Sequence, residues 1–297
     1  MRVRNVYAGG TLDRASGRRR DRGWVRALLD HPASRVIAHH RGRFLIEPGD
    51  PPRPLLLPPR ALGGVIDGAV VALLGLAGEG ARFAVDLSGL DEGALPGAGS
   101  LVDLRAVGGL MAAPDAAMLA HARGLFHWHA RQRFCGVCGA PTEVREGGHL
   151  RVCTDPACAA PQFPRTDPAV IMLVHDGGRC IMARQARWPA GRYSVLAGFV
   201  EPGEALEEAV AREVAEEVGV AVADIRYHSS QPWPFPASIM LGFHARAVST
   251  ALRIDPNELE DARWVSREAL RNPPEGFRLP SRDSIARRLI EDWLAGG

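Results

Sequence analysis

Between Gly198 and Val220 the chain reads Gly198-x5-Glu204-x7-Arg212-Glu213-Val214-Ala215-Glu216-Glu217-Val218-Gly219-Val220, a glycine loop that runs straight into an acidic helix. Leu206, Val210 and Val214 recur at helical spacing and form its buried stripe, and Gly219 suits the left-handed residue that ends a helix. At about 100° per residue, Glu213, Glu216 and Glu217 fall within an arc of about 100° beside that stripe. Three carboxylates held so close repel one another unless a divalent cation sits among them. Oxygen-only ligands favour magnesium or manganese, either of which can also hold phosphate oxygens and activate a water. The competing reading is a solvated acidic helix face. The preceding glycine loop, the spaced Glu204 and the internal Arg212 argue against it.

Upstream stand four cysteines, Cys135-x2-Cys138-x14-Cys153-x4-Cys158. Each pair closes a tight turn, with Gly136 and Gly139 relieving the backbone around the first, and together they offer four thiolates to a tetrahedral zinc. Two disulfides are the alternative, but they need an oxidising compartment for which the sequence offers no signal. Four thiolates leave no open position for water, so this Zn²⁺ is expected to be structural. Cys180, within the strand-like Arg179-Cys180-Ile181-Met182-Ala183, reads as a small buried apolar residue.

A chain of 297 residues is long enough for two lobes. No apolar run is long enough to suggest a membrane span, and Met1-Arg2-Val3-Arg4-Asn5-Val6 lacks the pattern of a secretory signal, so a cytoplasmic location is expected. The net charge of +2 gives no argument for a large nucleic-acid footprint. All 36 basic residues are arginine and most are scattered; the densest cluster, Arg18-Arg19-Arg20 with Arg22 and Arg26, is expected to be a solvated loop and helix start.

Residues 1–112 carry short apolar runs broken by proline and glycine, a β-rich lobe in which Pro48 to Pro54 can only be a turn or linker. A helix over 113–133 follows, with Asp115 as its expected cap and Met118, Leu119, Ala122, Leu125, Phe126 and His129 at helical spacing. It is expected to join the lobes. His127 and His129, two apart, do not share a helix face, so packing is expected of them and not metal binding. Residues 134–164 hold the cysteine module. From 165 to 297 strands and helices alternate: Val170 to Val174 as a buried strand, Asp176-Gly177-Gly178 as a hairpin turn, and helices over 205–218 and 281–295.

Ser230-Gln231-Pro232-Trp233-Pro234-Phe235-Pro236-Ala237-Ser238 sets two aromatic rings on a proline-stiffened backbone. Such a segment can form a slot for a planar base, with Gln231 and Ser238 as polar readers, or a rigid buried connection.

The 198–220 string resembles the Nudix box at every defined position. The proline-aromatic string and the four upstream cysteines together resemble the NADH pyrophosphatases of the Nudix hydrolase family. The resemblance extends to Pro164 to Ile171, Leu196 to Phe199, Asp255 to Glu258 and Ile285 to Ile290. It implies an α+β chain: a Nudix α/β/α sandwich with a mixed sheet, preceded by a zinc ribbon and a β-rich amino-terminal domain. It implies Glu213, Glu217 and Glu258 as metal ligands, Glu216 as ligand or base, and Arg212 and Glu204 as residues that shape the loop. Phe163, Ala197, Gln231 to Ser238 and Ala286 would line the substrate site. Phe163 stands where tyrosine is usual and Ala237 where glutamine is common.

The activity so implied is hydrolysis of the pyrophosphate of NADH or NAD to nicotinamide mononucleotide and AMP. Removal of NAD caps from RNA and a homodimeric state are implied with it. A Nudix hydrolase of another nucleoside diphosphate derivative, such as ADP-ribose, is the rival enzyme. A non-catalytic zinc-ribbon nucleic-acid binder is the rival of another kind, and the intact glutamates argue against it.

Overall fold

The structure, a computed structural model, describes residues 4–296. Met1–Val3, on which the expectation about the amino terminus draws in part, and Gly297 lie outside them. The described residues form two compact units, one of Val6–Thr166 with Trp233–Ala237, the other of Asp167–Pro232 and residues 238–296 with Arg4 and Asn5.

In the first unit, helix α1 (Arg22–Asp30) starts at Asp21, whose carboxylate accepts from the Trp24 amide. Seven strands follow: β1 (Arg35–His40), β2 (Arg43–Glu47), β3 (Arg53–Pro54), β4 (Leu56–Leu57), β5 (Val70–Ala77), β6 (Gly80–Asp86) and β7 (Ser100–Asp103). They make one sheet in the order β3-β2-β1-β6-β5, with β4 on β1 and β7 on β2. Successive side chains of a strand point to opposite faces. Accordingly Ile37, Ala72, Leu74 and Ala84 pack with Leu119, Ala122 and Phe126 of the long helix that follows β7. Val36, Ala38, Leu73, Phe83 and Val85 pack on the other face with Leu29 of α1.

Between them, α2 (Leu104–Val107) leads into that long helix, α3 (Ala113–Arg131). Asp115 does not cap α3: Ala112 holds the cap position and a proline opens the first turn, where Asp115 complements the positive end of the helix dipole. Nor does α3 run between lobes, because its apolar face is the roof of this core. His129 packs as expected, fully buried, with Nε2 against the Gly148 carbonyl at 2.8 Å.

The cysteine module adds β8 (Thr142–Arg145), β9 (Leu150–Cys153) and β10 (Pro161–Gln162), in the order β10-β9-β8. Two turns present the thiols: Gly139 N–H donates to Cys135 O, and Cys158 N–H to Asp155 O. Gly139 takes φ +78°, which a side chain would strain. The Val137 amide approaches Cys135 Sγ at 3.4 Å, and such backbone donors hold that thiol down at about 7. All four sulfurs lie within 4.8 Å of one another, with Cys135–Cys158 at 3.8 Å and Cys138–Cys153 at 3.4 Å, and none is in a disulfide. A tetrahedron with Zn–S bonds near 2.3 Å has edges of about 3.8 Å. The donor set therefore fits a structural zinc.

The second unit holds β11 (Asp167–His175), β12 (Arg179–Arg184), β13 (Leu196–Phe199), helix α4 (Leu206–Val218), β14 (Val222–Trp233), β15 (Ser238–Ala247), β16 (Asp261–Ser266), α5 (Arg267–Arg271) and α6 (Ile285–Ala295). The sheet runs β14-β15-β11-β12-β16 with β13 on β11. It is mixed, for β11 and β15 are parallel while β12, β13 and β16 pair antiparallel. Val170, Met172, Val174 and Ile181 face Val210, Val214 and Val218 of α4. Ile171, Leu173, Cys180 and Met182 face Leu289, Ile290 and Trp293 of α6. This is a helix-sheet-helix sandwich. The three fully buried valines of α4 contribute roughly 1.5–3 kcal/mol each, enough to fix an acidic helix against its own charge repulsion.

Cys138→Ser is expected to lose the one zinc that dialysed protein retains per chain and to lower stability by at least about 2 kcal/mol, since a closed thiolate site contributes folding energy. Metal analysis with thermal melting checks this; a mutant that keeps its zinc and melts with the parent would contradict it.

Candidate active site

The site grows from the junction of β13 and α4. Val218, Gly219 and Glu217 anchor the carboxyl end of α4: Gly219 takes φ +68°, Arg253 N–H donates to Val218 O at 2.8 Å, and Asp255 N–H donates to Glu217 O at 3.0 Å. These last two bonds carry the 255–259 loop onto the helix end and bring Glu258 with it. At the other end, the Glu208 carboxylate reaches back to the Ala205 amide at 2.7 Å, satisfying one of the open amides of the first turn.

Arg212 organises the charges. Its guanidinium donates to Glu204 at 2.5 and 2.8 Å, to Glu213 and Glu216 at 2.9 Å each, and to the Phe199 carbonyl at 2.9 Å. Glu204 in turn accepts the Glu201 amide at 2.9 Å, so one cation ties the loop, the strand end and the helix together. Hydrogen bonding to Arg212 holds Glu204 down at about 2, and the same contacts push Arg212 above its ordinary value.

Glu213 and Glu217, both buried, meet Glu258 with carboxylate oxygens within 4.8 Å of one another. Gly198 makes this possible, because a methyl group there would lie 1.8 Å from the Glu213 carboxyl carbon. Burial, followed by the charges of Glu213, Glu258 and Glu216, raises Glu217 from 4.5 to about 8. Glu213 is raised as well, again by burial first. One Glu217 oxygen is fully buried without a hydrogen-bond partner. A buried carboxylate oxygen left so costs several kcal/mol unless something positive meets it. The cluster fits a hard divalent cation.

The expected residues therefore separate. Glu213, Glu217 and Glu258 converge; Glu216 does not join them but turns to Arg212, with its side chain 54% exposed. Gln231 is fully buried, its amide donating to Asp283 O at 2.7 Å and its oxygen accepting from Ile285 N at 2.8 Å. That gives Gln231 a bracing role between β14 and α6 in place of the reading role expected of it. Ala197, Pro232, Ser238 and Ala286 lie in the same unit as the glutamates. Phe163 and the segment Trp233, Pro234, Phe235, Pro236 and Ala237 belong to the other.

In that other unit Trp233 and Phe235 are half-buried on the α3 core, edge-on to Tyr7 at ring separations of 6.2 and 5.6 Å. Arg105 lies 4.4 Å over Phe235, and Arg123 donates to Pro234 O at 2.9 Å. The segment is at least in part a packed connection. Sequence reasoning missed Tyr7, Arg105 and Arg123, which no motif announces; it also missed the contact of Gly198 with Glu213, although a glycine facing a helix glutamate was the available signal.

Residues 165–288 match the model of the NUDIX domain, 130–163 that of the NADH pyrophosphatase zinc ribbon domain, and 33–128 that of the NADH pyrophosphatase-like rudimentary NUDIX domain. The chain belongs to the Nudix family. Its three family segments follow one another in the order that the NADH pyrophosphatase resemblance implies. The rudimentary domain accounts for the first unit having a sheet between helices, and α3, which contains no glutamate, brings no acidic cluster to it. The Nudix chain is 45% identical over 193 residues to the protein named NAD-capped RNA hydrolase NUDT12 of Macaca fascicularis, and 44% identical over the same length to that of Homo sapiens, each match covering 61% of this chain and 42% of the relative. It is 43% identical over 206 residues to NAD-capped RNA hydrolase NudC of Mycobacterium bovis, covering 65% of both chains. The chain thus spans less than two thirds of the curated relatives it matches.

In metal-free protein, Glu217 keeps its proton up to about 8, whereas in the unfolded chain it ionises near 4.5. The folded state binds the extra proton between those values, so this group's contribution to stability is lost as pH rises from about 5 to 8. Buried His129 and His149, both held down at about 4, act in the opposite sense and at lower pH. The expected result is a stability gain of Glu217→Gln over the parent that grows from about pH 5 to pH 8 without metal and shrinks when Mn²⁺ is added. Melting curves of both proteins measure it, and a difference independent of pH would contradict the burial of an uncompensated carboxylate.

Proposed function

We propose that this chain hydrolyses the pyrophosphate bond of NADH or NAD, releasing nicotinamide mononucleotide and AMP. The observation that carries the reading is the convergence of Glu213, Glu217 and Glu258 beside Gly198, with a buried Glu217 oxygen unbonded. Mg²⁺ or Mn²⁺ bound by these three would hold pyrophosphate oxygens and lower the pKa of a water. The chain's own residues supply the rest. Arg212 keeps Glu204 ionised and the loop fixed against the strand end. Glu216, outside the cluster and open to solvent, is the base candidate for a water approaching phosphorus.

Similarity to proteins named NAD-capped RNA hydrolases supports extending the substrate to NAD-capped RNA, and the zinc ribbon supports the same subgroup. Ala197, Pro232, Ser238 and Ala286, all in the unit of the glutamates, are proposed to line the substrate site. We further propose a homodimer, for which the exposed Phe134, Val137 and Phe163 offer apolar surface, and a cytoplasmic location, where four free thiols persist to bind zinc. Among the described residues no helix is long and apolar enough to cross a membrane.

A second reading, another nucleoside diphosphate derivative such as ADP-ribose, is favoured by one observation: Trp233 and Phe235 are engaged with Tyr7 and Arg105, and Ala237 has no polar group with which to read a base. Comparing kcat/KM for NADH, NAD, ADP-ribose and NAD-capped RNA with Mg²⁺ and with Mn²⁺ separates the readings. NADH or NAD is expected to lead, and preference for ADP-ribose by tenfold or more would favour the second. Trp233→Ala is expected to lower the melting temperature, as truncation of a packed aromatic does at up to about 3–5 kcal/mol, and to reduce kcat/KM alike for NADH and ADP-ribose. A loss confined to NADH with an unchanged melt would assign the ring to stacking on nicotinamide.

A further inference from the structure

The arginine cluster densest in sequence is partly engaged within the fold. Arg18 lies over the Trp24 ring at 4.2 Å, Arg20 pairs with Glu146, and Arg26 pairs with Asp30 and Asp67. A second set, dispersed in sequence, is not. The loop between β12 and β13 is laced to the segment before α6: Arg278 N–H donates to Gly191 O at 2.7 Å, and Tyr193 N–H to Arg278 O at 2.9 Å. Gly191 permits the approach, since a side chain there would lie 1.8 Å from Gly276 O. This double loop gathers Arg187, Arg192, Arg278 and Arg282, all exposed, and none of the four makes an ion pair among the described residues. Trp188 stands among them, with the Arg192 guanidinium 5.9 Å over its ring. The acids on the double loop itself are Glu275 and Asp283, and Glu260 and Asp261 beside it are paired with Arg184 and Arg263, so positive charge prevails.

The double loop also adjoins the carboxylate cluster. Glu260 N–H donates to Arg184 O at 2.9 Å, the Arg184 guanidinium pairs with Glu260, and the Tyr193 hydroxyl donates to Asp261 at 2.5 Å. Arg184 is the last residue of β12 before the loop, and Glu260 is two residues from Glu258, a span of at most about 7 Å. Exposed arginines interleaved with an aromatic ring suit a single-stranded nucleic acid, whose phosphates take the charge and whose bases take the ring. We propose that this arginine double loop holds the RNA chain that follows an NAD cap, while the cap pyrophosphate occupies the glutamate cluster. The proposal rests on the capped-RNA reading given above for its biological substrate, and on the loop alone for binding of RNA.

The test is a variant in which Arg187, Arg192, Arg278 and Arg282 are all replaced by alanine, alongside one in which all four become lysine. Two readouts are used: kcat/KM on NADH and on a 20-nucleotide NAD-capped RNA, and binding of an uncapped 5′-phosphorylated RNA of the same sequence at several salt concentrations. With the melting temperature of the alanine variant near the parent's, turnover of NADH is expected within about twofold of the parent while turnover of capped RNA falls at least tenfold. The slope of log affinity against log salt should flatten by up to about 3, at roughly 0.7 per lost phosphate contact on a single strand. The lysine variant should recover most of the salt slope, because it keeps the charge. Uncapped RNA bound equally by parent and alanine variant overturns the proposal. If the alanine variant melts well below the parent, the lysine variant and single Arg187→Ala and Arg282→Ala variants decide it by the same two readouts. A parent that binds uncapped RNA through these arginines but leaves capped RNA intact would refute the capped-RNA activity and keep the loop as an RNA site.

Discussion

The candidate site, and the fold around it, depend on a buried electrostatic conflict. Glu213 and Glu217 are drawn into the apolar seam between α4 and the sheet by Val210, Val214 and Val218, and Glu258 is brought against them by backbone bonds from Arg253 and Asp255 to the helix end. Arg212 answers part of the negative charge through Glu213, but its guanidinium is shared among Glu204, Glu213, Glu216 and the Phe199 carbonyl and does not reach Glu217. The uncompensated remainder is at Glu217, which burial and its neighbours keep protonated to about 8. A divalent cation would resolve the conflict in one step, and the same ion would serve the proposed pyrophosphate hydrolysis.

The two halves of the molecule treat the same architecture differently. Each unit places a sheet between helices by strict alternation of apolar side chains, yet only the second puts glutamates on the helix that faces the strand-end glycine. The first unit carries the zinc module and the aromatic segment 233–237, packed on Tyr7. The thiolates of the first unit and the carboxylate cluster of the second are thus chemically distinct sites: four sulfurs suited to zinc in one, oxygens suited to a hard divalent ion in the other.

What was legible in the sequence follows from how local the physics is. The helix from Leu206 to Val218, its glycine terminus and the cysteine spacing depend on residues close in the chain, and so does the β11–β12 hairpin at Asp176 to Gly178. Glu258 was found only through family resemblance, since the Asp255 and Arg253 bonds that position it connect distant residues. Asp115 was misread as a cap because a proline one position earlier begins the helix ahead of it. Gln231 was read as a ligand contact because the pattern could not reveal that Asp283 and Ile285 take up both ends of its amide. The arginines of the double loop, too, come together only through the lacing of Gly191, Tyr193 and Arg278.

The most direct test of the central claim is a Mn²⁺ titration followed by the electron paramagnetic resonance of the free ion, on the parent and on Glu213→Gln. Binding by the parent that weakens at least tenfold in the variant, the scale for losing a metal-site group, is the predicted result. A variant that binds Mn²⁺ as tightly as the parent, with its fold intact, would contradict the account.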